Sequence, residues 1–170
     1  NNRLQIALEL NQRAQHEQLL HLERVRAQQS LILRLARHRY SSQNSVQEAA
    51  QLITQSACEI YDIACASIWN LNDQRLEPIA AFNRDTGDCL LPQPIDASLF
   101  PSYLDALHTG RAIDANDVSL DPRTREMAES LKPRDINAML DASIRVDGNV
   151  VGVLCLEQRS EERRVGKECM

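Results

Sequence analysis

The sequence predicts an α+β domain with an antiparallel central sheet and helices on both faces, preceded by a long N-terminal helix. Three observations carry this prediction. No Gly or Pro occurs before Pro78, and the first forty residues are rich in helix-forming residues. Short apolar stretches flanked by turn residues follow residue 62. Asp147 and Gly148 separate the last two stretches, as in a two-residue hairpin turn.

Residues 1–40 are predicted to form one helix that acts as a weak coiled-coil signalling linker. Apolar residues recur at heptad spacing, although polar residues interrupt the seam in its middle. The seam consists of Leu4, Leu8, Asn11, Gln15, Gln18, Leu22, Val25, Gln29 and Ile32. This pattern favours a homodimer formed through the helix. The alternative is a lone amphipathic helix packed on its own domain.

A second helix is predicted from Ser45, because Ser45 and Glu48 form a capping-box pair. Its buried stripe follows helical spacing and consists of Val46, Ala49, Ala50, Ile53, Ala57 and Ile60. Residues 64–71 and 76–82 are then predicted to pair as strands, with Pro78 requiring an edge or a bulge.

Loops and short elements are predicted for the middle of the chain. Residues 83–98 are expected to be loop, and residues 99–108 a short helix that Gly110 ends. A strand at 112–115 is followed by a helix that Asp121 caps and that runs to about Leu131.

The clearest strand pattern comes last. Leu140, Ala142, Ile144 and Val146 alternate with the more polar set Met139, Asp141, Ser143 and Arg145. Residues 150–157 are largely apolar, which predicts a strand covered on both faces.

Composition and charge exclude several classes of protein. The chain has 170 residues and a formal net charge of −5; residues 41–158 hold eight basic and eighteen acidic residues. An acidic body argues against nucleic acid as a partner, because phosphate binding needs clustered Lys and Arg. No apolar run approaches the roughly 20 residues of a membrane span.

The five Cys residues form no CxxC pair and no metal-like pairing with His, so no metal site is predicted. An odd number of Cys without an export signal favours reduced thiols and a cytoplasmic location. Because the chain does not begin with Met, we interpret it as a fragment of a longer protein.

Residues 44–158 resemble a GAF domain, the small-molecule sensory module of bacterial signalling proteins. The resemblance depends on the order and spacing of residues 66–69, 101–103, 109–111, 121–125, 138–144 and 148–155. Ser143 stands where the family usually has Pro. Similar modules lie upstream of diguanylate cyclase, phosphodiesterase or histidine kinase output domains. The resemblance implies a closing C-terminal helix and an output domain, both expected to be missing from this chain.

The last residues have a different character. Residues 159–169 resemble translated sequencing-adapter DNA, so we interpret 159–170 as an artefactual tail and Gln158 as the last natural residue. The alternative is a natural charged tail.

No catalytic residue is predicted, and the chain itself is not expected to be an enzyme. It lacks G-x-S-x-G, P-loop, G-x-G-x-x-G and H-E-x-x-H motifs. His108 lies near a predicted helix C-terminus, where a polar ring interacts favourably with the helix dipole. Cys58 and Cys155 fall in apolar segments, as inert core thiols do.

The resemblance supports no named cofactor. Cyclic-nucleotide-binding members carry a dispersed Asn, Lys, Phe, Asp and Glu signature, and no Phe follows Asn116 here. Bilin-binding members need a Cys, typically beside His, and no Cys–His pair exists. Haem-binding members need an axial His, for which only His108 is available within residues 44–158.

The resemblance does imply a ligand pocket between one sheet face and a cover formed by residues 83–137. The candidate residues are aromatic walls and polar lining, namely Trp69, Phe82, Tyr103, Asp141, Arg145 and Cys155. The alternative is that the aromatic residues, six in the whole chain, serve only as core.

Three functions remain open. We favour a regulatory GAF module that binds a small molecule and passes a signal through helical linkers to the output domain. A ligand-free structural dimerisation module is the second. A stand-alone Cys-dependent reductase on the same fold is the third.

Overall fold

The structure, a computed structural model, describes residues 2–37 and 43–160, which fall into two compact units divided between residues 41 and 42. The first unit is a single helix, α1 (Asn2–Arg37), as the sequence predicts. Residues 161–170 of the predicted artefactual tail lie outside the described residues. Among those described, no helix combines the length and the apolar character needed to cross a membrane.

The second unit is a six-stranded antiparallel sheet with helices on both faces, which confirms the predicted α+β class. The helices are α2 (Gln43–Tyr61), α3 (Pro101–Thr109) and α4 (Ala128–Leu131). The strands are β1 (Cys65–Asn72), β2 (Arg75–Asn83), β3 (Ile95–Asp96), β4 (Ala112–Ala115), β5 (Ile136–Val146) and β6 (Asn149–Arg159). Their order in the sheet is β3-β2-β1-β6-β5-β4.

Turn chemistry fixes the two long hairpins. Asp73 and Gln74 connect β1 to β2, and Asp147 and Gly148 connect β5 to β6, all four with positive φ. Two-residue turns of this kind match the twist of paired strands. The register between β1 and β2 shifts opposite Pro78, which confirms the predicted bulge.

Helix α2 differs from its prediction in its start and in its buried face. It begins at Gln43, so Ser45 lies in the first turn of the helix. Ala50 and Ala57 of the predicted stripe are buried and Ile53 packs beside Ala50, but Val46 is 58% exposed and the fully buried positions of the helix are Thr54 and Cys58. Small side chains on this face allow α2 to lie close to β1 and β2.

Two predicted segments of the middle of the chain are corrected. The expected loop at 83–98 contains β3, which pairs with the start of β2 and extends the sheet by one short strand. The expected helix from Asp121 to Leu131 is interrupted: residues 122–124 form turns, Arg125–Met127 form a 3-10 helix, and only α4 is α-helical. The side chain of Asp121 accepts a hydrogen bond of 2.8 Å from the backbone N–H of Arg123, which closes a local turn where a helix was expected.

Strand β5 buries its polar side and leaves its apolar side partly exposed. Asp141 and Met139 face the main core, whereas Leu140 is 44% exposed on the face where α2 packs. Helix α2 covers β1 and β2, while α3, α4 and the turns before α4 lie over the opposite face. The polar side of β5 therefore lies beneath α3 and α4, on the face of the sheet that carries the main core.

Candidate functional site

A cavity of about 210 Å³ lies between the sheet and the segment that covers it. Strands β1, β5 and β6 supply the floor, and α3, α4 and their flanking turns supply the cover. The lining residues are Trp69, Leu76, Ile95, Phe100, Tyr103, Met127, Ser130, Leu131, Arg134, Met139, Asp141, Cys155 and Glu157. Of the six residues predicted from the sequence, Trp69, Tyr103, Asp141 and Cys155 meet in this cavity.

The polar end of the cavity centres on Asp141, whose side chain is fully buried. The Tyr103 hydroxyl donates a hydrogen bond of 2.5 Å to Asp141 Oδ2. The other oxygen, Oδ1, is buried and has no regular hydrogen-bond partner in the described part of the chain. The Cys155 thiol also faces the carboxylate, but a thiol is a weak donor. One strong acceptor therefore remains available inside the cavity.

Burial dominates the electrostatics of this end. It raises the pKa of Asp141 to about 7, although the Tyr103 hydrogen bond opposes the shift and the nearby Glu157 adds to it. Burial also raises the pKa of Tyr103 and that of Cys155 well above their usual values. Tyr103 and Cys155 therefore stay protonated at neutral pH, whereas Asp141 is divided between its two forms.

An ion pair that the sequence did not predict borders the cavity. Glu157 is buried on β6, and the Arg134 guanidinium binds it through both terminal nitrogens, with Nη1 lying 3.2 Å from Oε1. Burial raises the pKa of Glu157, and the charge of Arg134 opposes that shift. An isolated acidic residue in the otherwise apolar 150–157 stretch was the available signal, because a buried carboxylate needs a partner.

The same ion pair also lines a second, more open cleft of about 460 Å³. Leu90, Leu91 and Pro133 contribute to the wall of this outer cleft. The Arg134 side chain is 45% exposed and Glu157 7% exposed, so the pair stands between the outer cleft and the inner cavity.

Comparison with known proteins decides the family. The sequence model of the GAF domain family matches residues 45–168, which is most of the chain. The chain belongs to the GAF domain family. No curated protein shows a significant sequence match to it.

Solved structures of GAF domains share its fold at low sequence identity. The chromophore-binding domain of Stigmatella aurantiaca bacteriophytochrome matches with a TM-score of 0.63 and 17% identity, over 82% of this chain and 52% of that chain. The GAF domain of the Coxiella burnetii phosphoenolpyruvate-protein phosphotransferase matches with a TM-score of 0.57 and 14% identity, over 81% of this chain and 78% of that chain. The PixJ GAF domain of Thermosynechococcus elongatus matches with a TM-score of 0.57 and 16% identity, over 72% of this chain and 74% of that chain. The chain thus spans about half the length of the bacteriophytochrome structure.

Phe82, predicted as a pocket wall, faces the other side of the sheet in this GAF domain. It is paired with Ala66 on β1, and it packs against Ala57 and Cys58 of α2. Side chains alternate between the faces of a strand, so the register that directs Phe82 toward α2 keeps it out of the cavity. Phe82 packs beneath α2 and also lines the outer cleft, so it is a wall of that cleft and not of the inner cavity.

Arg145, predicted as polar lining, caps a helix instead. Its Nη2 donates hydrogen bonds to the backbone carbonyl oxygens of Leu107, His108 and Gly110, at 2.9, 2.8 and 2.8 Å. These carbonyls lie at the C-terminal end of α3, where a cation is stabilised by the helix dipole. The pairing of β5 with β6 shifts register between Ile144 and Arg145, just where the Arg145 side chain turns toward the end of α3.

His108 lies at the same helix end and outside the cavity lining. Its ring is exposed, and Nδ1 lies 2.7 Å from the backbone oxygen of Leu104. Within residues 2–37 and 43–160, no group of three or more His, Cys, Asp or Glu side chains is arranged to hold a metal ion.

Proposed function

We propose that this GAF domain is a sensory module that binds a small molecule in the cavity beneath α3 and α4. The supporting observation is Asp141, a fully buried carboxylate in the cavity lining whose Oδ1 lacks a regular partner among the described residues. Buried polar groups are ordinarily hydrogen-bonded. A structural core gains nothing from an unsatisfied carboxylate, whereas a binding site uses one to orient its ligand.

The cover gives such binding a mechanical consequence. Tyr103 joins α3 to the sheet through Asp141, and Arg134 joins the end of the cover to β6 through Glu157. A molecule held between these contacts favours one position of the cover over another. We propose that this shift is passed through helical linkers to an output domain of the parent protein, in the cytoplasm.

A screen of a metabolite library by thermal shift tests ligand binding. We expect at least one compound to raise the melting temperature of the full chain by several degrees, since ligand at 100 times its Kd stabilises a protein by about 2.7 kcal/mol. Ser130 is exposed at the edge of the cavity that it lines, so Ser130→Phe places a ring at the opening and should reduce the shift. Glu129→Phe, at a neighbouring exposed position outside the lining, is the matched control and should retain it.

The ligand-free alternative predicts a different result. If no compound shifts the melting temperature of the wild-type chain, or if Ser130→Phe shows the same shift as the wild type, the sensory proposal fails. A purely structural module is then the better description.

Three of the described thiols, those of Cys58, Cys65 and Cys155, are buried and give little support to the reductase alternative. Burial raises the pKa of Cys58 to about 12, and it raises the pKa of Cys65 and Cys155 as well. A nucleophilic Cys needs a depressed pKa, because the thiolate is the reactive form. We therefore propose a non-catalytic role for the domain.

We also propose that α1 forms a homodimer through its heptad seam. Leu8, Leu22 and Ile32 of the seam are exposed, and large apolar residues left in water favour association. Replacing these three by Ser should convert a dimer to a monomer in sedimentation velocity. The matched control replaces three equally exposed residues outside the seam, Leu10, Leu19 and Leu33, by Ser. If the wild-type chain is monomeric, or if both triple variants weaken the dimer equally, the proposal of a dimer through the heptad seam is wrong.

A further inference from the structure

Two of the charged side chains in the described cavity lining form an ion pair, and the third has no oppositely charged partner there. The described residues of the lining include three charged side chains, Arg134, Asp141 and Glu157. Arg134 and Glu157 neutralise each other in the ion pair at the entrance. Asp141 has a hydroxyl donor from Tyr103 but no cation, so its ionised form is a buried charge without compensation. Such a charge is costly unless a positive partner is supplied.

The remaining surface of the cavity is mainly apolar. Walls of this kind come from Leu76, Ile95, Phe100, Met127, Leu131 and Met139, together with the indole of Trp69. The indole N–H is already used, since it donates a hydrogen bond of 2.8 Å to Ser67 Oγ. An apolar ring or short chain fits these walls, and the polar contact is concentrated at the Asp141 end.

The volume limits the size of the molecule. An enclosed cavity of 150 Å³ holds benzene. At 210 Å³, this cavity has room for a molecule of about eight to ten non-hydrogen atoms. A single aromatic ring with one short substituent is within that limit, and a nucleotide is well beyond it.

We propose that the cavity takes a small protonated amine, with its ammonium group beside Asp141 Oδ1 and its apolar part between Trp69 and Met127. This inference rests on the proposed function, because it assigns a ligand class to the same cavity. The ammonium group supplies both the missing donor and the missing positive charge. Carboxylates and phosphates are excluded, because Arg134 is engaged and two acidic side chains line the walls.

The arrangement gives amine binding a characteristic pH dependence. The groups that face Asp141 are Tyr103 from α3 and Cys155 and Glu157 from β6, the last of these paired with Arg134. Tyr103 and Cys155 do not ionise near neutral pH, because burial raises their pKa values. Since the pKa of Asp141 is about 7, an amine binds the fraction of molecules in which this carboxylate is ionised. The affinity of the domain for the amine should therefore rise about tenfold from pH 6 to pH 8.

Calorimetric titration of the full chain with three matched probes tests the inference. Benzylamine, benzyl alcohol and benzoate share one apolar ring and differ in charge. We expect benzylamine to bind most tightly, with the rise in affinity between pH 6 and pH 8, and benzoate to bind least. Asp141→Asn should weaken benzylamine binding at least tenfold and abolish its pH dependence. Asp105→Asn changes an exposed carboxylate of α3 and should leave it unchanged.

The wild-type result is decisive even if Asp141→Asn fails to fold. If benzyl alcohol or benzoate binds more tightly than benzylamine, and Ser130→Phe removes that binding, the amine inference is overturned while the cavity remains a ligand site. If none of the three probes binds, the amine inference is overturned. The library screen then decides the proposed function separately.

Discussion

Replacing Asp141 by Asn should remove most of the loss of stability that the wild-type domain shows between pH 4 and pH 7. The pKa of this carboxyl is about 7 in the folded protein, against an ordinary value of 3.8. Between these values the unfolded chain has lost the proton and the folded domain has kept it, so stability falls as the pH rises. The decline levels off above pH 7. It amounts to on the order of 4 kcal/mol for this group.

Urea unfolding from pH 4 to pH 9 measures the effect as a difference between wild type and Asp141→Asn. Other shifted groups, such as Glu157, contribute to both curves and largely cancel. Tyr103→Phe is the informative control, because the Tyr103 hydrogen bond holds the pKa of Asp141 down. Its removal should extend the decline to higher pH. Parallel curves for wild type and Asp141→Asn would show that this carboxyl does not titrate near neutrality.

Gly152→Ala should destabilise the domain by about 3 kcal/mol, because the new Cβ has no room. It would lie 2.4 Å from the backbone oxygen of Trp69 on the neighbouring strand β1. A backbone oxygen cannot move aside as the end of a flexible side chain does. The two central strands must therefore separate at this point, which disturbs the floor of the cavity as well.

The sign of the effect is diagnostic. A Gly→Ala substitution without strain stabilises a protein by about 0.4–1 kcal/mol. Gly110→Ala is the comparison, since its Cβ would lie 3.1 Å from the backbone oxygen of Ala106 and should cost less. Chemical denaturation of the three proteins at one pH gives the ranking. If Gly152→Ala is as stable as the wild type, β1 and β6 are farther apart than the structure has them.

Local sequence patterns predicted every described strand except the short β3, and most helices, because each depends on neighbours in the chain. The bulge at Pro78 and the hairpin turn at Asp147 both have short-range signals. The prediction for the segment from Asp121 to Leu131 was wrong at its start, although the helix ends at Leu131 as expected. The Asp121 carboxylate pairs with Arg123, two residues on, and stabilises a turn that competes with the expected helix.

The candidate site was harder to predict, because it depends on which face of the sheet is covered. Trp69, Tyr103 and Asp141 were placed in a common pocket through a family resemblance, and the structure brings them together. Strand alternation alone would have exposed Asp141, since its neighbours Leu140 and Ala142 form the apolar side. Phe82 was misplaced because the hairpin register that turns it toward α2 is not visible in the sequence.

The position of β6 sets the order in which this domain can be completed. The last of the described strands, β6, lies in the middle of the sheet, between β1 and β5. Until β6 has left the ribosome, a nascent chain holds two separate ribbons, each with an open edge. Joining them requires contacts between residues far apart in sequence, such as Cys65 with Glu157, and such contacts slow folding. The open edges of these ribbons are therefore exposed to pairing with other chains until β6 is made.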